Sequence, residues 1–131
     1  MIVLDASAAV KLMTRHPDLG AVLDIVLGND DGNIHVPGHF VAEVLSALRG
    51  LYIKGAFNRS GFLELAYELD RFDFVTHFSA PHIVRIAQLA DNATPYDAAY
   101  IVLAEELDCP LVTSDNKLAD IPGSRAKVLI V

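Results

Sequence analysis

The chain has 131 residues, with 17 Asp and Glu against 10 Lys and Arg, a formal charge of −7 and a hydrophobic content of 53%. That length predicts a single domain, 1–131, and the apolar content suffices for a buried core, which excludes a disordered chain and a small disulfide-stapled fold. An acidic balance of this size also excludes blanket charge-driven binding of nucleic acid, so any contact with it must be local.

From the N-terminus, Ile2 to Leu4 reads as a short buried strand, followed by helical spacing over Ala6 to Thr14 and again over Leu19 to Leu27. Asn29 to Asn33 is a turn cluster. Ile34 to Val36 is a second strand stopped by Pro37-Gly38, and a long helix from about His39 to Lys54 closes at Gly55. Asn58 to Arg71 reads as a helix, Phe74 to His77 as a strand and Pro81 to Ala90 as a helix. Thr94-Pro95 starts the next helix, which runs to about Leu107, because Thr caps free N–H groups and Pro suits the first helical position. Leu111 to Thr113 and Lys127 to Val131 are the last two strands, with one helical turn near Asn116 to Ala119. Such alternation predicts an α/β protein with a parallel sheet of four to five strands, covered by helices on both faces.

Met1 to Leu4 shows no cationic start and no long apolar stretch, so no secretion signal is expected. Apolar runs such as Ala98 to Ala104 are far shorter than the roughly 20 residues that span a bilayer. The single cysteine, Cys109, reads as a small core hydrophobe and fits a reducing compartment. A cytoplasmic protein without membrane association is expected.

Four acids stand at positions that call for explanation. In a parallel sheet, ligands bind beyond the carboxyl ends of the strands. Asp5 directly follows the first strand and Asp115 follows Leu111 to Thr113 after one residue, although each could simply cap the next helix. Asp97 shares a helix face with Tyr100, Ile101 and Ala104 in a helix apolar nearly all round, where an unpaired charge is costly. A capping-box variant with Thr94 is the alternative. Glu43 lies in a long helix with His39, Phe40, Ser46 and Ala47 one turn away and no cation there to pair with, although a solvated face would also accommodate it.

Four gathered carboxylates would repel one another unless some stayed protonated or a divalent cation joined them. Oxygen donors without thiolates or a histidine cluster favour Mg²⁺ or Mn²⁺ over Zn²⁺. The five histidines, His16, His35, His39, His77 and His82, show no ligand spacing and read as surface or satisfied core residues. No Gly-rich phosphate loop is present.

The segments Met1-Ile-Val-Leu-Asp5-Ala-Ser-Ala-Ala9, Val36-Pro37 leading to Ala42-Glu43-Val44-Leu45-Ser46-Ala47-Leu48, Thr94-Pro95-Tyr96-Asp97-Ala98-Ala99-Tyr100 and Thr113-Ser114-Asp115 together resemble the PIN-domain nucleases. Within them, the VapC-type toxins of toxin–antitoxin pairs are the most similar group. The resemblance covers essentially the whole chain. It implies a three-layer α/β/α PIN fold and a Mg²⁺- or Mn²⁺-dependent endoribonuclease whose metal-binding active site is formed by Asp5, Glu43, Asp97 and Asp115. It also implies that Thr113 supports the site by hydrogen bonding. Asp5 and Asp97 are expected as principal ligands, with Glu43 and Asp115 as a further ligand, an outer contact or a general base; Asn116 could add a carbonyl. Ser46 departs from the Asn that many relatives carry.

Attack by metal-activated water in line with the leaving 3′ oxygen would leave a 5′ phosphate. Lys11, Arg15 and Lys117 are expected to touch phosphates flanking the cut, or else to be solvated cations. The resemblance further implies a homodimer and neutralisation by a cognate VapB-type antitoxin, with residues near Leu51, Tyr52, Phe57 and Phe62 as candidate surfaces, although helical core packing explains these residues equally well. A signalling receiver domain would need two adjacent acids after the first strand, and here Asp5 is followed by Ala6-Ser7. A non-catalytic PIN-like module that binds RNA or protein is the alternative function.

Overall fold

Three β-branched or apolar residues, Ile2–Leu4, form strand β1, and all three are buried. The computed structural model describes residues 1–15 and 33–131. The expected helix over 19–27, the turn over 29–32 and His16 lie outside the described residues. Helix α1 (Ala6–Arg15) follows β1 directly and buries Ala6, Ala8, Ala9, Leu12 and Met13. Strand β2 (Ile34–Pro37) leads into α2 (Phe40–Ile53). Gly55, at φ +82°, closes α2 with a left-handed residue that donates its N–H to the Tyr52 carbonyl.

Asn58 caps α3 (Arg59–Arg71) by accepting the Gly61 N–H at 2.9 Å. Strand β3 (Val75–His77) starts one residue later than the sequence suggests. Phe74 instead turns its ring edge-on to Phe40 at 5.4 Å, where packing outweighs strand pairing. The single helix expected over 81–90 is divided into a 3₁₀ turn, Ala80–His82, and the short α4 (Ile83–Gln88). Pro81 provides no N–H, and the chain tightens so that the Ser79 carbonyl takes the His82 N–H at 2.9 Å.

Helix α5 (Pro95–Leu107) is the centre of the molecule, with every residue from Ala98 to Ala104 buried. Thr94 caps it by accepting the Asp97 N–H at 3.2 Å. Strand β4 (Leu111–Thr113), a 3₁₀ turn (Asn116–Asp120) and strand β5 (Val128–Ile130) complete the chain.

All strand pairings are parallel, and the order across the sheet is β3-β2-β1-β4-β5. Helix α5, with α4 on its outside, lies against β1, β2 and β4, while α1 packs on β4 and against α2. The result is the layered α/β arrangement expected. Chain direction across the sheet reverses at β1, whose neighbours are β2 and β4, and the carboxyl ends of β1 and β4 therefore flank the crevice where such sheets bind ligands. Among the described residues, no helix is long and apolar enough to cross a membrane.

Candidate active site

The crevice is a cavity of about 380 Å³ lined by Asp5, Ala6, Ser7, Glu43, Ser46, Ala47, Asp97 and Asp115. Four acids spread over 110 positions of sequence thus share one small space. Asp5 enters from the end of β1 and Asp115 from just beyond β4. Glu43 comes from the first turn of α2 and Asp97 from the first turn of α5. Both helix positions put a carboxylate near the positive end of a helix dipole.

Most of these acids are anchored through one oxygen. Asp5, only 6% exposed, accepts the Thr113 hydroxyl on Oδ2 at 2.6 Å and the Ser7 hydroxyl on the same oxygen. Each hydroxyl accepts in turn from the following loop: the Ser114 N–H donates to Ser7 Oγ at 3.1 Å and the Asp115 N–H to Thr113 Oγ1 at 3.0 Å. Both hydroxyl protons are committed to Asp5, and both oxygens hold the backbone that carries Asp115. Asp115 Oδ1 accepts the Lys117 N–H at 2.9 Å, so this acid also caps the turn after β4. Glu43 Oε2 accepts the hydroxyl of the fully buried Tyr100 at 2.6 Å. One oxygen of Asp5, Glu43 and Asp115 is therefore pinned by the protein, and the other is left to the cavity.

Electrostatics around the cavity follow from that crowding. Burial pushes the Asp97 carboxyl above the usual carboxylate range. The hydrogen bond with Thr94 opposes the rise, the charges of Asp5 and Asp115 add to it, and His39 counters in part. Burial first, and then the hydrogen bond and charge of Glu43, push the Tyr100 hydroxyl far up, so Tyr100 is a neutral donor at every physiological pH.

Ser7, Tyr100 and His39 are parts of the site that single-residue reasoning does not assign. Ser7 and Tyr100 lay inside the segments that carry the family resemblance, and Tyr100 shares the helix face of Asp97; that spacing was the available signal. His39 Nε2 lies 3.4 Å from Glu43 Oε2. Its ring stands edge-on to Tyr100 at 5.2 Å.

The expectation that the histidines are satisfied needs correction. The buried Nε2 atoms of His35 and His39 have no hydrogen-bond partner, while His35 Nδ1 and His77 Nε2 bond to each other at 2.8 Å. Burial, followed by the neighbouring His77, holds the His35 imidazole below its ordinary value, which keeps that pair from carrying two charges.

The expected RNA contacts are unequal. Lys11 donates to the Val131 carbonyl at 2.5 Å and is occupied there. Arg15 is exposed but lies at the far end of α1, roughly 15 Å from Asp5 at 1.5 Å per residue. Lys117 is exposed and adjacent to Asp115. Asn116 is exposed and outside the cavity lining. Leu51, Tyr52, Phe57 and Phe62, read either as a partner surface or as core packing, are half-buried, and the contacts favour packing: Tyr52 stacks on Phe62 at 5.5 Å, and Phe57 and Phe62 pack onto the core.

Replacing Tyr100 by Phe removes one donor and keeps the ring. Where a carboxylate serves a metal, loss of the group that positions it lowers metal affinity or activity by roughly 10- to 100-fold. A Mg²⁺ titration of RNA cleavage should therefore show a right-shifted midpoint at nearly unchanged thermal stability. An unshifted titration would remove Tyr100 from the site.

Residues 2–124 match the PIN domain family, and the chain belongs to it. Ribonuclease VapC12 of Mycobacterium tuberculosis is 35% identical over 131 residues, covering 100% of this chain and 99% of its own. Ribonuclease VapC1 of the same organism is 32% identical over 133 residues, covering 98% and 96%. Within the PIN family the chain thus falls in the VapC ribonuclease group. The crystal structure of PAE2754 from Pyrobaculum aerophilum superposes with a TM-score of 0.70 over 97% of this chain and 81% of that one; at 20% identity it speaks for the fold.

Proposed function

We propose that the protein is a divalent-metal-dependent endoribonuclease, the toxin of a VapBC-type pair, and that Asp5, Glu43, Asp97 and Asp115 are its catalytic acids. The observation that carries this reading is the convergence of four carboxylates on one cavity, three of them tethered by a single oxygen. Tethering of that kind presets a carboxylate for a ligand and costs it little freedom on binding.

The donor set is all oxygen, which suits Mg²⁺ or Mn²⁺. Among the described residues no group of three His, Cys, Asp or Glu side chains is arranged to hold a metal ion. Mg²⁺ keeps several of its waters and takes only one or two carboxylates directly. Asp5 and Asp97 would be the principal ligands of such an ion, and Glu43 and Asp115 would serve as a further ligand, an outer contact or a general base. A bound ion supplies a more acidic water and neutralises charge on the scissile phosphate. Thr113 and Ser7 hold Asp5 in place, and Tyr100 holds Glu43. Lys117 is the cation best placed for a flanking phosphate. The relatives' shared name and the family resemblance support a VapB-type antitoxin and a homodimer as the assembly in the cytoplasm.

The test is incubation of purified protein with a mixed cellular RNA pool in Mg²⁺, Mn²⁺ or EDTA. Cleavage yielding 5′-phosphate ends is expected with either metal, with at least a roughly 100-fold loss on chelation and recovery on adding metal back. Cleavage that survives EDTA overturns the assignment of a metal-dependent nuclease.

A further inference from the structure

Tyr96 is left largely in water, at 60% exposure, one position before Asp97 on the first turn of α5. Its ring is nevertheless seated, standing edge-on to His39 at 5.3 Å and 74°. His39 stands edge-on in turn to the buried Tyr100 at 5.2 Å and 76°, and Tyr100 holds Glu43. Three rings therefore connect a solvent-facing aromatic surface to the carboxylates. Pro95 at the first helical position fixes the turn that carries Tyr96. A ring already ordered by its neighbours costs little further entropy when something stacks on it.

Charge gives this protein little hold on an RNA strand. The chain carries −7, the Lys11 ammonium is taken by the Val131 carbonyl and Arg15 is at the far end of its helix, which leaves Lys117 as the exposed cation beside Asp115. Stacking needs no net charge, because every nucleobase has a π-face, and it contributes about 1–3 kcal/mol per base to binding as judged by alanine substitution.

We propose that Tyr96 is the base-stacking platform of the active site, holding one unpaired nucleobase beside the scissile phosphate. This inference rests on the endoribonuclease reading of the acidic cavity. The sheet order also gives the strand a direction. Asp115 and Asp5 follow β4 and β1, His39 with Tyr96 against it follows β2, and the strongly exposed Phe78 follows β3. With neighbouring strands about 4.8 Å apart, the aromatic side of this rim extends roughly 10 Å from β1 to β3. The cut phosphate lies over the acids, and the flanking base lies toward β3. A base inside a duplex has both faces covered and cannot reach the ring unless it is first flipped out.

The deciding experiment uses a short single-stranded oligoribonucleotide carrying 2-aminopurine at each position in turn, titrated with the protein in Ca²⁺. Binding should quench the probe at one position. Tyr96→Phe should keep both the quench and Kd, whereas Tyr96→Leu should lose the quench and raise Kd roughly 5- to 100-fold. In Mg²⁺, the same change should appear in KM with kcat nearly unaltered. The oligonucleotide annealed to its complement should bind at least about tenfold more weakly. Quenching and Kd preserved in Tyr96→Leu, or no quenched position in the parent protein, overturns the proposal. Because fluorescence is read without cleavage, a protein that quenches but never cuts would refute the nuclease reading alone. Unaltered KM in an active Tyr96→Leu protein would refute stacking alone.

Discussion

Asp97→Asn is expected to reduce RNA cleavage by about 10²–10³-fold or more, the scale on which removal of one transition-state contact acts, and at the same time to raise the melting temperature of the metal-free protein. Both effects come from the same carboxylate. Its value is raised by burial and by the charges of Asp5 and Asp115. A carboxyl that is harder to ionise when folded binds more protons in the native state than in the unfolded one, across the window between the two values. Stability contributed by this group therefore falls as pH rises through that window. Asparagine has no such slope. Melting curves in EDTA from about pH 4 to pH 8, which brackets the ordinary and raised carboxylate ranges, should show the parent losing ground to Asp97→Asn toward the upper end. Added Mg²⁺ should reverse the order, since binding to the native state alone stabilises it. Parallel pH profiles for the two proteins would contradict the crowding of acids at the cavity.

The second large effect concerns stability away from the cavity. Glu105 on α5 has only 4% of its side chain exposed and is the hub of an ionic cluster. Arg85 of α4 donates Nε to Oε2 and a terminal nitrogen to Oε1, both at 2.8 Å, and the same guanidinium donates to the Gly123 carbonyl at 2.7 Å. The Arg125 backbone N–H donates to Oε1 at 2.8 Å and its guanidinium to Oε2 at 3.3 Å. Burial pushes the Glu105 carboxyl up, but the hydrogen bonds and charges of the two arginines outweigh burial and hold it below the ordinary glutamate range.

Glu105→Ala removes one partner of a buried pair and should cost about 3–5 kcal/mol, or roughly 10–20 °C in melting temperature for a domain of this size. Urea unfolding measures it directly. The sign with pH is opposite to that of Asp97: the depressed carboxyl stabilises the fold above the ordinary glutamate value and loses that contribution as pH falls through its folded value. A loss below about 1 kcal/mol would show that solvent screens the cluster.

Much of the fold was legible because local signals agreed with one another. The Thr94-Pro95 start and the Gly55 stop each have a local mechanism, and each is found at its expected residue. The acids were legible because carboxylates at strand ends and on a buried helix face are costly and so conspicuous. Their supports were less so. Thr113 came only from the family resemblance, and the roles of Ser7 and Tyr100 were not read at all: Tyr100 meets Glu43 across 57 residues and Thr113 meets Asp5 across 108, and no periodicity encodes such pairs. The Arg85–Glu105–Arg125 cluster was illegible for the same reason, with each residue reading alone as an ordinary surface charge. Strand order is likewise long-range, because β4 passes over β2 and β3 to pair with β1, and no local pattern specifies that choice.

The pairing of the first strand with the fourth has a consequence for synthesis. Asp5 precedes by 108 positions the Thr113 hydroxyl that holds its carboxylate, and Asp115 comes two residues after that. A chain emerging from the ribosome N-terminus first carries Asp5, Glu43 and finally Asp97 on elements whose central strand still lacks one of its two neighbours. The four acids can close on one another only after the stretch that carries Asp115 has been made. Chain order thus makes assembly of the cavity wait on its last acid, however early the other three appear.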